Sequence, residues 1–428
     1  VSASRPAEVP RSGTTLFVLA FGAVLAVTLV FATVDPWLEK AGILAGGLDV
    51  HIYREGAWRL LHGHSLYRDE TVGGLLYTYT PFSAMVFVPG LAVPAVWITD
   101  AFLLVNLGVL YACVLLCGRM LGYRMNARMA SIAALLAITC VFLEPVRTTL
   151  FYGQINLVLM LLVLWDFSRP GGGRLRGLGV GVAAGIKLVP AFFIVQYLVL
   201  RQWRSAARAS ATLAATIALA WLVSPGDSRE YWFSTFFHAE RIAPDTDPAN
   251  QSIRGVLAHL TAGGAPIWLW LFVAGAVAGA GLTLVVALDR CGERLLAVTL
   301  GGMTACAVSP FSWGHHWVWF VPLLVHLVHR AQARPGWWLA AALLFVATGA
   351  WTYQWTPDFA SVGVFVLPKP WHTEPILENA HVVVYLLALV YGMWVARRAE
   401  LPGAICADDA GRESISRGEL TANSRSGR

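Results

Sequence analysis

Residues 177–200 read GLGVGVAAGIKLVPAFFIVQYLVL, an apolar run with one lysine near its middle. Arg174 and Arg176 precede it, and Arg201, Arg204 and Arg208 follow it. Basic residues flanking a membrane segment stay in the cytoplasm, so both ends of the run belong on the same side. The run is too short to cross and return as two full helices at about 20 residues each. It reads as a hairpin of half-helices hinged near Pro190. Non-helical backbone at membrane depth is tolerated where it lines a cavity inside the protein, so this hairpin is a candidate wall of a site. Lys187, at the hinge, is expensive at that depth and is read as a phosphate-binding cation at a half-helix tip. Snorkelling to water, or a structural ion pair, fits the same position.

Working outward, the rest of the chain has the same character. Hydrophobic residues make up 57% of 428 and charged residues only 13%, gathered in long apolar runs between short basic turns. A soluble core cannot absorb such runs, so lipid must. The formal charge of +6 sits largely in those turns, so it reports topology and not a nucleic-acid partner. The turns around Arg119, Arg124 and Arg128, Arg169, Arg290 and Arg294, Arg330 and Arg334, and Arg397 and Arg398 complete the cytoplasmic set. Full spans are expected near 14–34, 129–143, 155–168, 209–224, 266–288, 294–309, 316–330, 337–355 and 376–396. Residues 78–118 are too long for one span, and one half, broken near Pro89, Gly90 and Pro94, is read as re-entrant. The first span, Thr14 to Val34 behind Arg5 and Arg11, is long enough to cross and is taken as an uncleaved helix. Residues 1–398 form one membrane domain, and 399–428 a disordered cytoplasmic tail. Six scattered cysteines without a CxxC pair read as small core residues. The tryptophans serve in part as interfacial anchors.

This orientation puts residues 35–77, 144–154, 225–265, 310–315 and 356–375 outside, and there the polar residues collect. In Val50–Gly63, the residues Val50, Tyr53, Ala57 and Leu61 share one helical face while Glu55 and Arg59 pair at i,i+4, which describes an amphipathic helix along the outer interface. Asp49 then stands at the lip of a membrane cavity, where a carboxylate accepts a proton from a substrate hydroxyl; a plain helix cap suits the same spacing. Arg147, Gln154 and Asn156 supply a cation and two amides for an anionic group and sugar hydroxyls, or the amides satisfy broken backbone at the turn. Arg241 and Asn250-Gln251-Ser252 are polar enough to line a site. Asp245-Thr-Asp247 has the D-x-D spacing of a metal-binding pair, without a nucleotide-binding domain beside it. His315 and His316 suit a leaving phosphate, proton transfer or a metal, although adjacent histidines rarely turn to one metal.

Taken in order, LDVHIYREG, LLHGHSLY, YTYTPF, YGQIN, GIKLVP, NQSIRG and SPFSWGHH resemble glycosyltransferase family 87. These are actinobacterial polyprenol-phosphate-mannose-dependent alpha-mannosyltransferases of the GT-C superfamily, including those of the PimE type. The motifs run from about residue 47 to 316. The resemblance implies an all-α polytopic membrane protein of GT-C type, with roughly 10–12 transmembrane or re-entrant helices and an amphipathic helix in the first extracytoplasmic loop. It also implies an inverting transfer with Asp49 as general base. Where the family often carries an acidic residue two places from that aspartate, this chain has His51. A paired-acid or metal-bridged mechanism therefore lacks its second carboxylate.

The chemistry this implies is economical, because a lipid phosphate is already a competent leaving group. One base is needed for the acceptor hydroxyl and cations for the departing phosphate. Asp49 is the base; Lys187, Arg147, Arg241 and one of His315 or His316 are the phosphate candidates. Tyr77, Tyr79, Gln154, Asn156, Asn250 and Gln251 are the sugar-positioning candidates. The expected partners are a polyprenol-phosphate sugar donor, a mannosylated glycolipid acceptor such as a phosphatidylinositol mannoside or lipoglycan, and membrane lipids, with no cofactor and no metal. The site faces the extracytoplasmic side of the cytoplasmic membrane. Two other readings stay open: the same fold using an arabinose donor, and a polytopic transporter with Lys187 and the histidines as a proton path. A transporter predicts inverted repeats, and the sequence has none that we detect.

Overall fold

The computed structural model describes residues 13–33, 46–170, 172–238, 243–356, 359–364, 367 and 372–400. Arg241 and the tail from 401 lie outside the described residues, as do residues 34–45 of the first loop. The chain is helical, and its first long helix, α1 (Gly13–Ala32), is followed by the short α2 (Leu48–His62) and α3 (Pro81–Phe87). Next come α4 (Ile98–Met120), α5 (Ala127–Cys140), α6 (Glu144–Tyr152) and α7 (Asn156–Phe167). The half-helices α8 (Leu178–Ile186) and α9 (Phe192–Val199) precede α10 (Trp203–Val223), α11 (Pro225–Phe233) and α12 (Ile253–Leu260). Then follow α13 (Ile267–Arg290), α14 (Arg294–Val308), α15 (Phe320–Ala333) and α16 (Trp337–Ala347). An antiparallel hairpin, β1 (Thr352–Thr356) with β2 (Phe359–Val362), leads to α17 (Glu374–Leu377) and α18 (Ala380–Glu400).

Nine full spans are expected from the sequence, but among the described residues five helices have the length and apolarity to cross a membrane. They are Gly13–Ala32, Ile98–Met120, Trp203–Val223, Ile267–Arg290 and Ala380–Ala399, with α6 and α7 counting as a sixth if their bent pair is one span. The other expected spans fold as helices of 11 to 15 residues, short of the roughly 20 that a bilayer needs. Protein, not lipid, surrounds several of them. Every residue of α14 from Leu295 to Ala307 is buried, as is α15 from Phe320 to Val328. A helix that is apolar on all sides and buried all round forms the centre of a bundle. Residues 348–356 leave the expected span 337–355 to form a turn, a bridge from Gly349 to Leu143, and β1.

The two irregular regions break where the sequence suggests. Residues 178–199 are two half-helices hinged through Lys187–Ala191. Residues 81–120 are a half-helix, a 3-10 turn at Val88–Ala92 and then the full span α4. Thr80 caps α3 by accepting from the Ser83 N–H, and Pro81 follows at the first helical position, where its missing N–H costs nothing. On α2, Val50, Tyr53 and Ala57 are buried as expected, while Leu61 is 58% exposed and turns outward with Trp58. Glu55 and Arg59 do pair, at 2.6 Å. Arg59 also donates to the carbonyls of Asp69 and Glu70, tying the helix to the loop that follows. Among the described cysteines, Cys113, Cys117, Cys140 and Cys306 are buried and unbridged.

Candidate active site

Two close approaches of backbone build the site. α2 starts at Gly47, in the left-handed region at φ 72, with its N–H donating to the Phe151 carbonyl at 2.7 Å. A side chain there would run into Thr99, so only glycine lets the helix start this close to α4. α6 ends at Gly153, also left-handed at φ 69, where a Cβ would strike Val50. The chain turns by 120° between α6 and α7, and Gln154, at the corner, meets the first turn of α2.

Asp49 lies in that first turn, half-buried. The capping position is Gly47, which has no side chain, so the plain-cap reading does not describe it. The helix N-terminus still favours a carboxylate there. Burial pushes the Asp49 carboxyl up to about 6, against the opposing pull of a hydrogen bond from Gln154 and the positive charge of Lys187.

Gln154 is the hub. Its Oε1 accepts from Tyr53 Oη at 2.8 Å, Tyr79 Oη at 3.2 Å and Asn156 Nδ2 at 3.4 Å, which leaves its amide nitrogen for Asp49. Its backbone carbonyl accepts from Asn106 Nδ2 at 3.1 Å. Asn156 Oδ1 in turn accepts from Lys187 Nζ at 3.2 Å. Lys187 also donates to His316 Nε2 at 2.7 Å and lies 5.3 Å from the centre of the Tyr79 ring. Thr80 donates to the carbonyls of Gly185 and Ile186, which ties the tyrosine loop to the end of α8 just before the lysine. Asp49, Gln154, Asn156, Lys187 and His316 thus form one connected chain, although they come from four separate stretches of sequence.

His316 sits on a 3-10 turn, Gly314–Trp317, with Ser312 Oγ 3.4 Å from its Nδ1. Burial, followed by the charge of Lys187, holds both His315 and His316 well below the usual histidine range. A neutral His316 whose Nε2 accepts from the lysine suits that arrangement. His315 turns the other way, toward Tyr152 and Trp313.

Lys187, His316 and Tyr79 meet a cavity of about 540 Å³ whose remaining walls are largely apolar, among them Phe192, Val195, Phe236 and Phe311. Asp49 is not among the residues lining that cavity; it joins the cluster through its hydrogen bond with Gln154.

Other sequence candidates are placed elsewhere. Arg147 is buried and donates to Thr33 Oγ1 at 2.6 Å, the Ala350 carbonyl at 3.2 Å and the Val30 carbonyl at 3.3 Å. Its guanidinium is a strut between α1, α6 and the loop after α16, not a wall of the cavity. Tyr77 is fully buried, with its hydroxyl on Ser83 at 2.6 Å and its ring against Gly56. Asn250 and Gln251 brace the histidine loop from behind. Asn250 Oδ1 accepts from Ser252 Oγ and the Ser312 N–H. Gln251 Nε2 donates to the carbonyls of Pro248 and Glu378, and its Oε1 accepts from the His381 N–H. Asp245 pairs with Arg254 at 2.7 Å and Asp247 accepts from the Ala249 N–H, so the D-x-D carboxylates are spent locally. Among the described residues, no three His, Cys, Asp or Glu side chains gather as metal ligands.

Three partners are not marked out by the sequence pattern: Tyr53, Glu144 and His381. Spacing puts Tyr53 on the apolar face of α2, yet its hydroxyl is part of the hub; a tyrosine on such a face carries a polar group that needs a partner. Glu144 and His381 form a buried pair at 2.9 Å, and Gly314 lies so close to the Glu144 carboxylate that a Cβ would collide with it. An ionisable residue at the start of an apolar helix, as His381 is, was the available signal.

The glycosyltransferase family 87 profile matches residues 77–310. A polyprenol-phosphate-mannose-dependent alpha-(1-2)-phosphatidylinositol pentamannoside mannosyltransferase of Mycobacterium tuberculosis is 34% identical, over 92% of this chain and 89% of its own length. A polyprenol-phosphate-mannose-dependent alpha-(1-2)-phosphatidylinositol mannoside mannosyltransferase of Mycolicibacterium smegmatis is 32% identical, over 78% of this chain and 83% of its own. An alpha-(1->3)-arabinofuranosyltransferase of Corynebacterium glutamicum is 26% identical, over 66% and 68%. No solved structure matches the chain.

Proposed function

The chain belongs to glycosyltransferase family 87, and on that premise we propose that it is a membrane alpha-mannosyltransferase using polyprenol-phosphate-mannose. The acceptor is a hydroxyl of a mannosylated glycolipid, a phosphatidylinositol mannoside or a related lipoglycan, on the extracytoplasmic side of the cytoplasmic membrane. The observation that carries this reading is the connected chain from Asp49 through Gln154 and Asn156 to Lys187 and His316, with its cationic end on an apolar-walled cavity. An anionic head with a long hydrocarbon tail matches that cavity, since the lysine supplies a charge-assisted hydrogen bond and the walls take the chain.

In this reading the transfer is an inverting displacement, with Asp49 as the base and Lys187 at the departing phosphate. The acceptor O–H gives its proton to Asp49, and its oxygen forms the new bond to the anomeric carbon. The bond from that carbon to the phosphate oxygen breaks on the far side, and its electron pair leaves with the phosphate, against Lys187. Tyr79 and Asn156, both hydrogen-bonded to Gln154, hold the sugar in this reading. His316 orients the lysine. A carboxyl near pH 6 suits a base working near neutrality, because it is mostly ionised yet still basic enough to take a proton.

The test is transfer of labelled mannose from polyprenol-phosphate-mannose to a mannosylated phosphoinositide by purified protein and by Asp49→Asn. Turnover by the parent and its loss in a folded variant is the expected result. Equal activity in both would remove Asp49 from the base role. The 26% identity to an arabinofuranosyltransferase supports a second reading with an arabinose donor, which the same assay decides by exchanging the donor.

A further inference from the structure

Glu144 and His381 stand outside the connected chain of the site, yet both are buried, at 1% and 0% exposure. The His381 Nε2–H donates to Glu144 Oε2 at 2.9 Å, and Thr148 Oγ1 donates to Glu144 Oε1 at 3.2 Å. A carboxylate shut away from water is costly unless such partners hold it. Apolar side chains in place of a buried pair often leave a fold just as stable, so stability is a weak reason for keeping one. What the pair touches gives a stronger reason.

Glu144 opens α6, and Gln154 follows just past its other end, so one short helix connects the carboxylate to the hub of the site. Backbone bonds hold that helix at both ends: the Glu144 N–H donates to the Thr348 carbonyl and the Phe151 carbonyl accepts from the Gly47 N–H, each at 2.7 Å. Gly314, the first residue of the histidine turn, packs directly on the carboxylate, since a Cβ there would run into both Glu144 oxygens. His381 reaches the same turn through Gln251. Its backbone N–H donates to Gln251 Oε1 at 3.1 Å, while the Gln251 N–H donates to the Ser312 carbonyl at 2.8 Å and the Gln251 carbonyl accepts from Trp317 Nε1 at 3.0 Å. The turn that carries His316 is therefore gripped between Glu144 and Gln251, and His381 is bonded to both.

Resting on the transferase reading above, we propose that Glu144 and His381 are positioning residues for the transfer: the pair fixes the histidine turn against α6, and so sets where His316 meets Lys187 relative to Gln154 and Asp49. Neither side chain lines the cavity, so the pair acts through the turn and not by touching the donor. A small misplacement of reacting groups slows the chemical step far more than it weakens binding of a substrate held by other contacts. The pair therefore acts on kcat and leaves the donor KM alone.

The experiment measures kcat and donor KM for mannose transfer, well below each thermal midpoint, in the parent, in the double variant Glu144→Leu with His381→Leu, and in His381→Gln. Replacing both partners together strands no buried carboxylate, so the fold is kept. Should the double leucine variant not fold, Glu144→Gln with His381→Leu takes its place with the same expected result, because a neutral amide can still bond to Thr148. The expected result is a loss of about tenfold in kcat with the donor KM within about twofold of the parent. His381→Gln should keep most of the parent kcat, since its amide N–H stands in for the ring Nε2–H. Parent kcat in the folded double variant reduces the pair to packing and overturns the proposal, as does a loss in His381→Gln as large as in the double variant. A rise in donor KM at unchanged kcat overturns it as well. As a second measurement, the pair is replaced in a His316→Ala background, where action through the turn predicts that the tenfold loss shrinks to about twofold or less. A full tenfold loss there would sink the proposal while leaving the transferase reading in place. If the parent itself transfers no mannose, the transferase reading fails and the positioning role with it.

Discussion

If Asp49 is the general base, the pH profile of kcat/KM should carry its signature. Its carboxyl is raised from 3.8 to about 6 by burial, with Gln154 and Lys187 pulling the other way. The base works only when ionised, so activity is lost as pH falls through the raised value. At pH 7 a group at about 6 is roughly nine-tenths ionised and at pH 5 roughly one-tenth, which predicts a drop of about tenfold in kcat/KM. A carboxyl at its ordinary 3.8 would stay more than nine-tenths ionised at pH 5 and give a nearly flat profile. Gln154→Met removes the hydrogen bond that favours the ionised form. A bond to a charged group is worth about 1.5–3 kcal/mol, of which a partly wet site keeps a share, and each 1.4 kcal/mol moves a pKa by about one unit. The acid limb of Gln154→Met should therefore move up by about one pH unit. The assay is initial-rate transfer from pH 4.5 to 8 in detergent, with pre-incubation controls to exclude unfolding. A flat parent profile, or a limb that stays in place in Gln154→Met, would refute the reasoning.

Three more outcomes follow from the same geometry. Lys187→Met should cut kcat about 10²- to 10³-fold, as loss of a transition-state cation does, while circular dichroism stays at the parent level; retention of kcat would remove the lysine from the leaving-group role. Arg147→Met leaves the buried Val30 and Ala350 carbonyls without the guanidinium donor, at a cost of about 1–3 kcal/mol for an orphaned group. It should lower the thermal midpoint while the folded enzyme keeps the parent KM for donor, and a large rise in that KM would restore Arg147 to the phosphate site. Gly314→Ala forces a Cβ against Glu144 and should displace the histidine turn, lowering kcat severalfold with little change in secondary structure, as measured by transfer rate and circular dichroism together.

The half-helix hairpin at 178–199 was legible because it follows from a count: basic residues at both ends and too few residues between them. Asp49, Gln154, Asn156, Lys187 and His316 were legible as polar residues where lipid or a turn should discourage them. Arg147, Asn250 and Gln251 looked the same to that criterion, and the structure spends them on internal hydrogen bonds. The difference lies in where their partners are. Arg147 finds acceptors 114, 117 and 203 residues away, and no local spacing encodes that. The lengths of the central helices misled for a related reason: α14 and α15 are as apolar as spans, but the neighbours that cover them are other helices.

The sequence by itself determined that this chain is a helical membrane protein, where its hairpin breaks, and which family its ordered motifs belong to. Those properties are local, set by apolar run length, charge at the ends of runs, and short motifs. Only the tertiary structure decided which polar groups share a site, that His316 faces the lysine while His315 turns away, and that the cavity wall excludes Asp49. Those properties depend on close approaches at Gly47 and Gly153 to Thr99 and Val50, about fifty and about a hundred residues away, where the fit of two elements fixes the meeting of side chains.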